Sequence, residues 1–172
     1  MIFTIRQEMP SDYEEVYELV RLSFASAAHS DGTEADYLNE VRKKDTFIPQ
    51  LSLAAEDETG RIIGQIVMYR TVILTDSADF TALVLSPVCV HPDHFRKGIA
   101  RAMIKQASQR ALSMGYTAVF LCGDPQIYSG LGFRPSYEFG IFHKDDPQAQ
   151  WCMGKELICG ALEGVSGITD IV

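Results

Sequence analysis

The sequence predicts a mixed α/β fold in which a mostly antiparallel sheet includes one parallel pair of strands. Three strand-like runs follow one another through short turns between Leu51 and Val90, which is typical of antiparallel strands. An amphipathic helix then separates Val90 from an apolar run that begins at Thr117, and this strand, helix, strand order predicts a parallel pair. Because the chain has 172 residues, 47% of them hydrophobic, we expect residues 1–172 to form one domain with a real core.

The first part of the chain is predicted to be a strand followed by two helices. Phe3–Arg6 reads as a short strand. Ser11 and Glu14 have the spacing of a capping box, and apolar side chains then recur at helical spacing as far as Phe24. After a loop, Thr33 precedes acidic residues that are typical of a first helical turn, so a second helix is predicted to open there.

The middle of the chain predicts a hairpin and a third strand. Leu51–Glu56 and Arg61–Leu74 are strand-like and are joined by a turn that ends in Gly60, where a positive φ is sterically allowed. Thr81–Val90 returns as the third strand and contains Pro87. Proline cannot donate to a sheet ladder, so Pro87 marks a place where pairing stops. We expect the strand to leave backbone groups facing an opening beyond it.

A predicted anion site follows this strand. We expect a helix whose first residues are Arg96–Ala100. The first turn of a helix carries N–H groups without intrahelical partners and a partial positive charge, and phosphate groups bind there. Gly98 and Ala100 leave the turn nearly bare. Three cations surround it, namely Arg96, Lys97 and Arg101.

The last third of the chain predicts a buried strand and a short helix. Gly115 ends the long helix as a left-handed cap, and Thr117–Leu121 is apolar enough to be buried on both faces. Asp124 or Pro125 begins a short helix that contains Tyr128. Two further strands and a C-terminal extension complete the prediction: Tyr137–His143, Trp151–Leu157 and residues 158–172.

The anion site resembles a known family. The segment is similar to the acyl-CoA-binding motif of the GNAT superfamily of N-acetyltransferases, written Gln/Arg-x-x-Gly-x-Gly/Ala, with Gly98 and Ala100 in its last two fixed positions. Phe95 occupies the first position, where the family prefers Gln or Arg. This departure removes one polar side chain and leaves the backbone amides, which carry most of the diphosphate contact in the family.

A second segment resembles the same family. Tyr128 stands four residues before Gly132-Phe133, as in the strand, short helix and Gly-Phe that end the GNAT core. The start at Gly123-Asp124-Pro125 is similar to a subgroup of bacterial predicted N-acetyltransferases. The resemblance spans roughly residues 3–143, and two ordered motifs at the proper separation make it more specific than either alone.

The resemblance implies a GNAT-like fold with six or seven strands, helices on both faces and a parallel pair that splays apart. It also implies acetyl-CoA as co-substrate and transfer of its acetyl group to a primary amine of a small molecule, an amino acid or a peptide. The residues it implies for binding coenzyme A are Val88, Cys89, Val90, Phe95, Arg96, Lys97, Gly98, Ile99, Ala100, Arg101, Asp124 and Tyr128.

Two residues are candidates for catalysis. The backbone N–H of Val90 is our prediction for the group that polarises the thioester carbonyl as it becomes an oxyanion. Tyr128 is predicted to act as the general acid for the departing thiolate. A phenol has a reference pKa near 10 and a cysteine thiol one of about 8.5, so a hydrogen bond in the transition state is expected rather than full transfer in the ground state.

The acceptor end is less defined by the sequence. In a GNAT-like fold the first two helices and their loop cover it, which makes Phe24, His29 and Glu34 candidates for contacting the amine, with Tyr17 and Asp31 as further ones. The general base stays open among Glu34, Asp31, His29 and an ordered water. His91 and His94 lack the further ligands that a metal site needs, so we expect no metal.

The four cysteines show no C-x-x-C spacing, so buried reduced thiols are expected. A covalent route through Cys89 or Cys122 is a less favoured alternative, because nothing nearby in sequence would lower either thiol pKa.

Composition excludes several partners. A net charge of −8 argues against nucleic acid, and the absence of a signal peptide or a long apolar run argues against a membrane span. We therefore expect a soluble, cytoplasmic protein. The resemblance leaves open a homodimer, because many relatives form dimers. The main alternative function is a GNAT-like module that binds coenzyme A as a sensor or interaction domain without efficient turnover.

Overall fold

The computed structural model describes residues 2–25 and 30–172. The chain divides into two compact units. Unit 1 takes in the described part of Met1–Tyr69 and Ser86–Arg110, and unit 2 takes in Arg70–Leu85 and Ala111–Val172. Two strands and one helix have residues in both units, namely β3 (Ile62–Thr75), β4 (Phe80–Val90) and α3 (Ile99–Ser113).

The sheet of unit 1 is antiparallel, as predicted. Strands β1 (Phe3–Gln7) and β2 (Ser52–Asp57) pair along their whole length, and β2 pairs with β3. The β2–β3 turn contains Gly60 at φ +85°, which confirms the positive φ expected there. Strand β4 is the next neighbour of β3, so the hairpin and the third strand lie where the sequence predicts them.

Helices cover both faces of this sheet. Helices α1 (Tyr13–Phe24) and α2 (Glu34–Val41) pack over one core cluster that includes Val67. Gly64 lies on the opposite face of β3, because side chains alternate along a strand, and a Cβ there would lie 2.9 Å from the side chain of Met103 in α3. Glycine thus lets α3 approach closely. Among the described residues, no helix combines the length and the apolar character needed to cross a membrane.

The predicted capping box at Ser11 and Glu14 is wrong. Helix α1 begins at Tyr13 after a 3₁₀ turn, and Asp12 is its N-cap residue without a side-chain cap bond. The Asp12 carboxylate instead accepts hydrogen bonds from the Met9 N–H at 2.7 Å and from the Arg6 guanidinium at 2.6 Å. The bond from Arg6 lowers the pKa of Asp12. A cation on the neighbouring strand therefore decides the conformation of this helix start.

The sheet of unit 2 contains the predicted parallel pair. Strand β5 (Ala118–Cys122) pairs in parallel with β4 through Leu83 and Val84, and this ladder ends three residues before Pro87. Strand β8 (Cys152–Glu156) pairs antiparallel with β5, and β6 (Arg134–Pro135) pairs with β8. The strand order in this unit is β4-β5-β8-β6.

A second, small sheet in unit 2 contains the C-terminal residues. The predicted strand Tyr137–His143 is wrong in its first half, since Ser136–Phe139 is a 3₁₀ turn and β7 is only Ile141–His143. Strand β9 (Gly167–Thr169) pairs with β7 and with the end of β3. A Cβ at Gly167 would lie 2.5 Å from the Leu74 carbonyl oxygen, so this approach depends on glycine. The extension is thus built into a sheet.

A buried ion pair ties the end of β1 to α2 in unit 1. The Glu8 side chain is fully buried, and the Arg42 side chain that pairs with it is 4% exposed. The Ser52 hydroxyl donates to the same carboxylate at 2.6 Å, and the guanidinium lies over the Tyr13 ring at 3.9 Å. Both charges therefore have polar or aromatic partners in addition to each other.

Removal of one partner from this pair leaves the other charge buried alone. We expect Arg42→Ala to lower the free energy of unfolding by about 3–5 kcal/mol. Lys43→Ala is the matched control, because Lys43 is the next residue and forms an ion pair with Glu40 in which both side chains are more than 60% exposed; its effect should stay within about 1 kcal/mol. Urea denaturation measures both. Equal effects of the two substitutions would contradict this account of the pair.

Candidate functional site

The turn between β4 and α3 differs from the prediction in where its helix begins. The predicted start at Arg96 is wrong, since α3 begins at Ile99. Arg96 and Gly98 have φ values of +61° and +81°, and a right-handed helix requires φ near −63°. The Gly98 carbonyl accepts the Ala102 N–H at 3.0 Å, which makes Gly98 the N-cap residue. The bare first turn of the helix therefore starts at Gly98 and not before it.

The turn between β4 and α3 is exposed, and at Gly98 no side chain covers its backbone. A Cβ at Gly98 would meet no atom within 4 Å, and Phe95, Arg96, Lys97 and Arg101 are exposed. The N–H groups at the start of α3 have no carbonyl four residues earlier in the helix. The Lys97 ammonium donates to the Asp93 carbonyl at 2.8 Å, so this cation also braces the turn. The segment offers a positively charged, uncovered set of donors.

The end of β4 directs one set of backbone groups away from β3. The His91 N–H donates to the Ile63 carbonyl at 2.8 Å, and successive residues of a strand direct their backbone groups to alternate sides. The N–H and C=O of Val90 therefore point away from β3. The Ser23 hydroxyl lies 3.0 Å from the Val90 carbonyl oxygen, but its one hydrogen is shared with the nearer Leu19 carbonyl oxygen at 2.7 Å. No motif in the sequence indicates this contact of Ser23.

The Cys89 thiol is poorly suited to the alternative covalent route. It is buried, and desolvation raises its pKa to about 12. The thiolate is the nucleophilic form of cysteine, so Cys89 is neutral and unreactive near pH 7.

The second predicted segment, in unit 2, is built around Tyr128. A Cβ at Gly123 would lie 2.3 Å from the ring atom Cε2 of Tyr128, so the ring lies directly on the glycine backbone. The Phe133 ring meets it edge to face, with 5.9 Å between the centroids. Gly132 between them has φ +88°, which turns the chain so that Phe133 can reach back. The glycines and the phenylalanine of the motif thus fix the position of one tyrosine.

Burial also changes the chemistry of Tyr128. Desolvation raises its pKa to about 12, which keeps the phenol protonated over the whole neutral range. Helix α4 (Pro125–Tyr128), which carries it, is capped by the Asp124 carboxylate, which accepts the Gln126 N–H at 2.8 Å. In the structure, the Asp124 carboxylate therefore caps the helix that follows it.

Comparison with known proteins identifies the family. Residues 4–136 match the Acetyltransferase (GNAT) domain. The chain belongs to the GNAT family. This GNAT chain is 30% identical over 173 residues to the uncharacterized N-acetyltransferase YhbS of Escherichia coli strain K12, covering 96% of this chain and 94% of YhbS.

Solved structures of GNAT proteins resemble the chain closely. A crystal structure of YhbS from Escherichia coli in complex with CoA has a TM-score of 0.82 and 26% identity, and the match covers 96% of this chain and 87% of that one. A GNAT acetyltransferase from Brucella melitensis in complex with acetyl-CoA has a TM-score of 0.67 and 27% identity, covering 77% and 83%. The predicted GNAT-like fold is thereby confirmed.

The predicted acceptor residues of this GNAT chain lie on or beside α1 and α2. Phe24 packs against the core cluster beneath these helices, and Glu34 is the first residue of α2. The Asp31 carboxylate accepts hydrogen bonds from the hydroxyl and N–H of Thr33, which lower its pKa. Tyr17 donates to Asp36 at 2.9 Å. His29 lies outside the described residues.

A groove in unit 1 is lined by residues other than the predicted site residues. It has a volume of about 590 Å³ and none of the predicted coenzyme or acceptor residues lines it. Its lining residues are Ser11, Glu14, Glu15, Glu18, Leu19, Leu22, Arg61, Ile62 and His91. His91 lies 2.8 Å from the Arg61 guanidinium, and burial, aided by this cation, lowers its pKa. No three His, Cys, Asp or Glu side chains of the described residues are grouped to hold a metal ion.

The raised pKa of Tyr128 predicts a pH dependence of stability. The unfolded chain releases the phenolic proton near pH 10, whereas the folded chain holds it to about pH 12. The folded state therefore binds more protons in this interval, and the free energy of unfolding should fall by up to about 3 kcal/mol as the pH rises through it. Urea denaturation across this range should show a shallower fall for Tyr128→Phe. The same slope in both proteins would contradict the burial of this phenol.

Proposed function

We propose that this GNAT protein transfers the acetyl group of acetyl-CoA to a primary amine of a small molecule, an amino acid or a peptide. The observation that carries this proposal is the open first turn of α3, where Gly98 leaves the backbone donors uncovered. The two GNAT proteins that contain CoA and acetyl-CoA support coenzyme A as the ligand of this turn. The transfer is direct, from the bound thioester to the amine within one ternary complex.

The diphosphate of coenzyme A is held by the start of α3. The N–H groups of residues 98–101 donate to it, and the side chains of Arg96 and Arg101 add positive charge. Phe95, which is half exposed, contributes an apolar surface in place of the polar side chain that the family prefers. The pantetheine arm runs along Val88, Cys89 and Val90, and its amides bind that strand as an added strand does.

A backbone N–H polarises the thioester carbonyl, and a phenol assists the departure of the thiolate. The Val90 N–H, which points away from β3, stabilises the oxyanion that forms on the thioester carbonyl. Tyr128 donates its hydroxyl hydrogen to the sulfur as the C–S bond breaks. Because the pKa of Tyr128 is about 12 and that of a thiol is about 8.5, this donation is strongest where negative charge develops in the transition state. It stops short of a full proton transfer before that point.

The amine enters beside α1 and α2 and is held there by Phe24, His29 and Glu34. We favour Glu34 over Asp31 as the carboxylate that faces it, since the hydrogen bonds of Asp31 to Thr33 lower its pKa and so reduce its basicity. The amine must lose a proton during transfer, and Glu34, His29 and an ordered water are the candidates for accepting it. Coenzyme A leaves as the thiol product.

Turnover with a panel of primary amines tests this function. We expect acetyl-CoA to release free thiol only when an acceptor amine is present. Tyr128→Phe should lower kcat by about 100-fold or more, because general acid catalysis commonly contributes that much. The measurement is thiol appearance with a disulfide reagent. Tyr116→Phe is the matched control, since Tyr116 is also partly buried and lies outside both motifs, and it should keep wild-type turnover.

The same experiment separates the enzyme from a binding module. Coenzyme A binding without thiol release, for every amine of the panel, would contradict the transferase and favour a domain that senses the coenzyme. Amine-dependent release that is equal in the wild type and Tyr128→Phe would retain the transferase and contradict the role of Tyr128.

A further inference from the structure

Two cysteines face each other across β5 and β8 in unit 2. Cys122, the last residue of β5, is the register partner of Cys152, the first residue of β8. Directly opposed residues of an antiparallel pair place their side chains on the same face of the sheet. The two thiols are therefore neighbours, although 29 residues separate them in the sequence.

The type of strand pair at this position brings the two residues especially close. The next pair along the ladder is hydrogen-bonded, since the Gly123 N–H donates to the Trp151 carbonyl at 2.9 Å. Hydrogen-bonded and non-hydrogen-bonded pairs alternate in an antiparallel ladder, so Cys122 and Cys152 form a non-hydrogen-bonded pair. Such pairs have Cα atoms about 4.5 Å apart, and disulfides span Cα separations of about 4.4–6.8 Å. The backbone can accept a disulfide here with little movement.

We propose that Cys122 and Cys152 form a redox pair, which hydrogen peroxide or an organic hydroperoxide converts into a cross-strand disulfide. One sulfur, as the thiolate, attacks a peroxide oxygen and becomes a sulfenic acid while the O–O bond breaks. The second sulfur attacks the sulfenyl sulfur, the S–O bond breaks, and water leaves. In total, two thiols and one hydrogen peroxide give one disulfide and two waters.

The surroundings of Cys152 favour the thiolate that this chemistry needs. The Ser136 hydroxyl donates to the Cys152 sulfur at 3.2 Å. The neighbouring Cys122 thiol, which also lies 3.5 Å from the Ile171 carbonyl oxygen, lowers the pKa of Cys152 through a hydrogen bond to its sulfur, and its own pKa is raised. The Cys152 sulfur is therefore the one that loses its proton more easily, while Cys122 keeps its own. Cys152 therefore supplies the attacking thiolate, and Cys122 is the thiol that resolves the sulfenic acid.

Exposure differs between the two sulfurs and gives the oxidant a way in. Cys152 is fully buried, whereas Cys122 is partly exposed. The partly exposed side of the pair at Cys122 is where peroxide reaches the buried Cys152 sulfur. The other two cysteines lack this arrangement, since Cys89 is buried with a pKa of about 12 and Cys159 is exposed. The proposed disulfide would join β8 to Cys122 at the end of β5. The next residue is Gly123, and the Tyr128 ring lies against its backbone.

Disulfide mapping of the oxidised protein tests this proposal independently of acetyl transfer. The fully reduced chain is treated with one equivalent of hydrogen peroxide under native conditions, then denatured, alkylated and digested with trypsin. Cleavage after Lys144 places the two cysteines on different peptides. We expect mass spectrometry to show one linked peptide pair that contains Cys122 and Cys152, with Cys89 and Cys159 alkylated. Dithiothreitol should abolish the link.

Variants show which sulfurs take part. Cys159→Ser is the matched control and should leave the link unchanged. In Cys122→Ser the Cys152 sulfur has no resolving partner, so we expect no link at Cys152. Four alkylated cysteines after peroxide treatment, a link through Cys89 or Cys159, or a sulfinic acid at Cys152 or Cys122 without any link would each overturn the proposal. The wild-type mapping decides the question even where a variant fails to fold.

Discussion

The left-handed backbone at Arg96 and Gly98 is the constraint on which the proposed coenzyme site depends. These two residues separate the end of β4 from the start of α3 by a turn that no right-handed helix could make. Their φ values place Gly98 at the N-cap, so the unpaired N–H groups of the helix begin beside a residue without a side chain. An anion can then touch the backbone itself. Side chains add charge around the turn, and the backbone conformation supplies the donors.

In the second segment, packing rather than charge positions the functional group, which is the Tyr128 phenol. Gly123 and Phe133 both lie against the Tyr128 ring, and neither performs chemistry itself. Their contacts half-bury the Tyr128 ring, and desolvation raises the pKa of its phenol. The residues of this motif therefore fix the position of one tyrosine ring and keep its phenol protonated. Likewise, the chemistry proposed for Val90 uses its backbone N–H and requires nothing of its side chain.

Local patterns predicted the hairpin, the parallel pair and the two motif segments, because each depends on residues close together in the chain. Other features depend on distant partners and could not be predicted in this way. The Arg6 guanidinium on β1 binds the Asp12 carboxylate at the start of α1, and the Ser23 hydroxyl lies 3.0 Å from the Val90 carbonyl oxygen. Cys122 and Cys152 face each other because of the register between β5 and β8. The spacing of the two cysteines in the sequence does not reveal that register. The residue type of Arg96 also gives no indication of its left-handed backbone conformation.

The most direct test of the coenzyme site compares two glycines with the same backbone conformation. Gly98 and Gly60 have φ values of +81° and +85°, and a Cβ at either would meet open space. Valine at either position therefore carries similar backbone strain, but only at Gly98 would its side chain cover the first turn of α3. Isothermal titration calorimetry with CoA should show binding at least about tenfold weaker for Gly98→Val and wild-type affinity for Gly60→Val. Wild-type affinity in both variants would contradict the placement of the diphosphate on this turn.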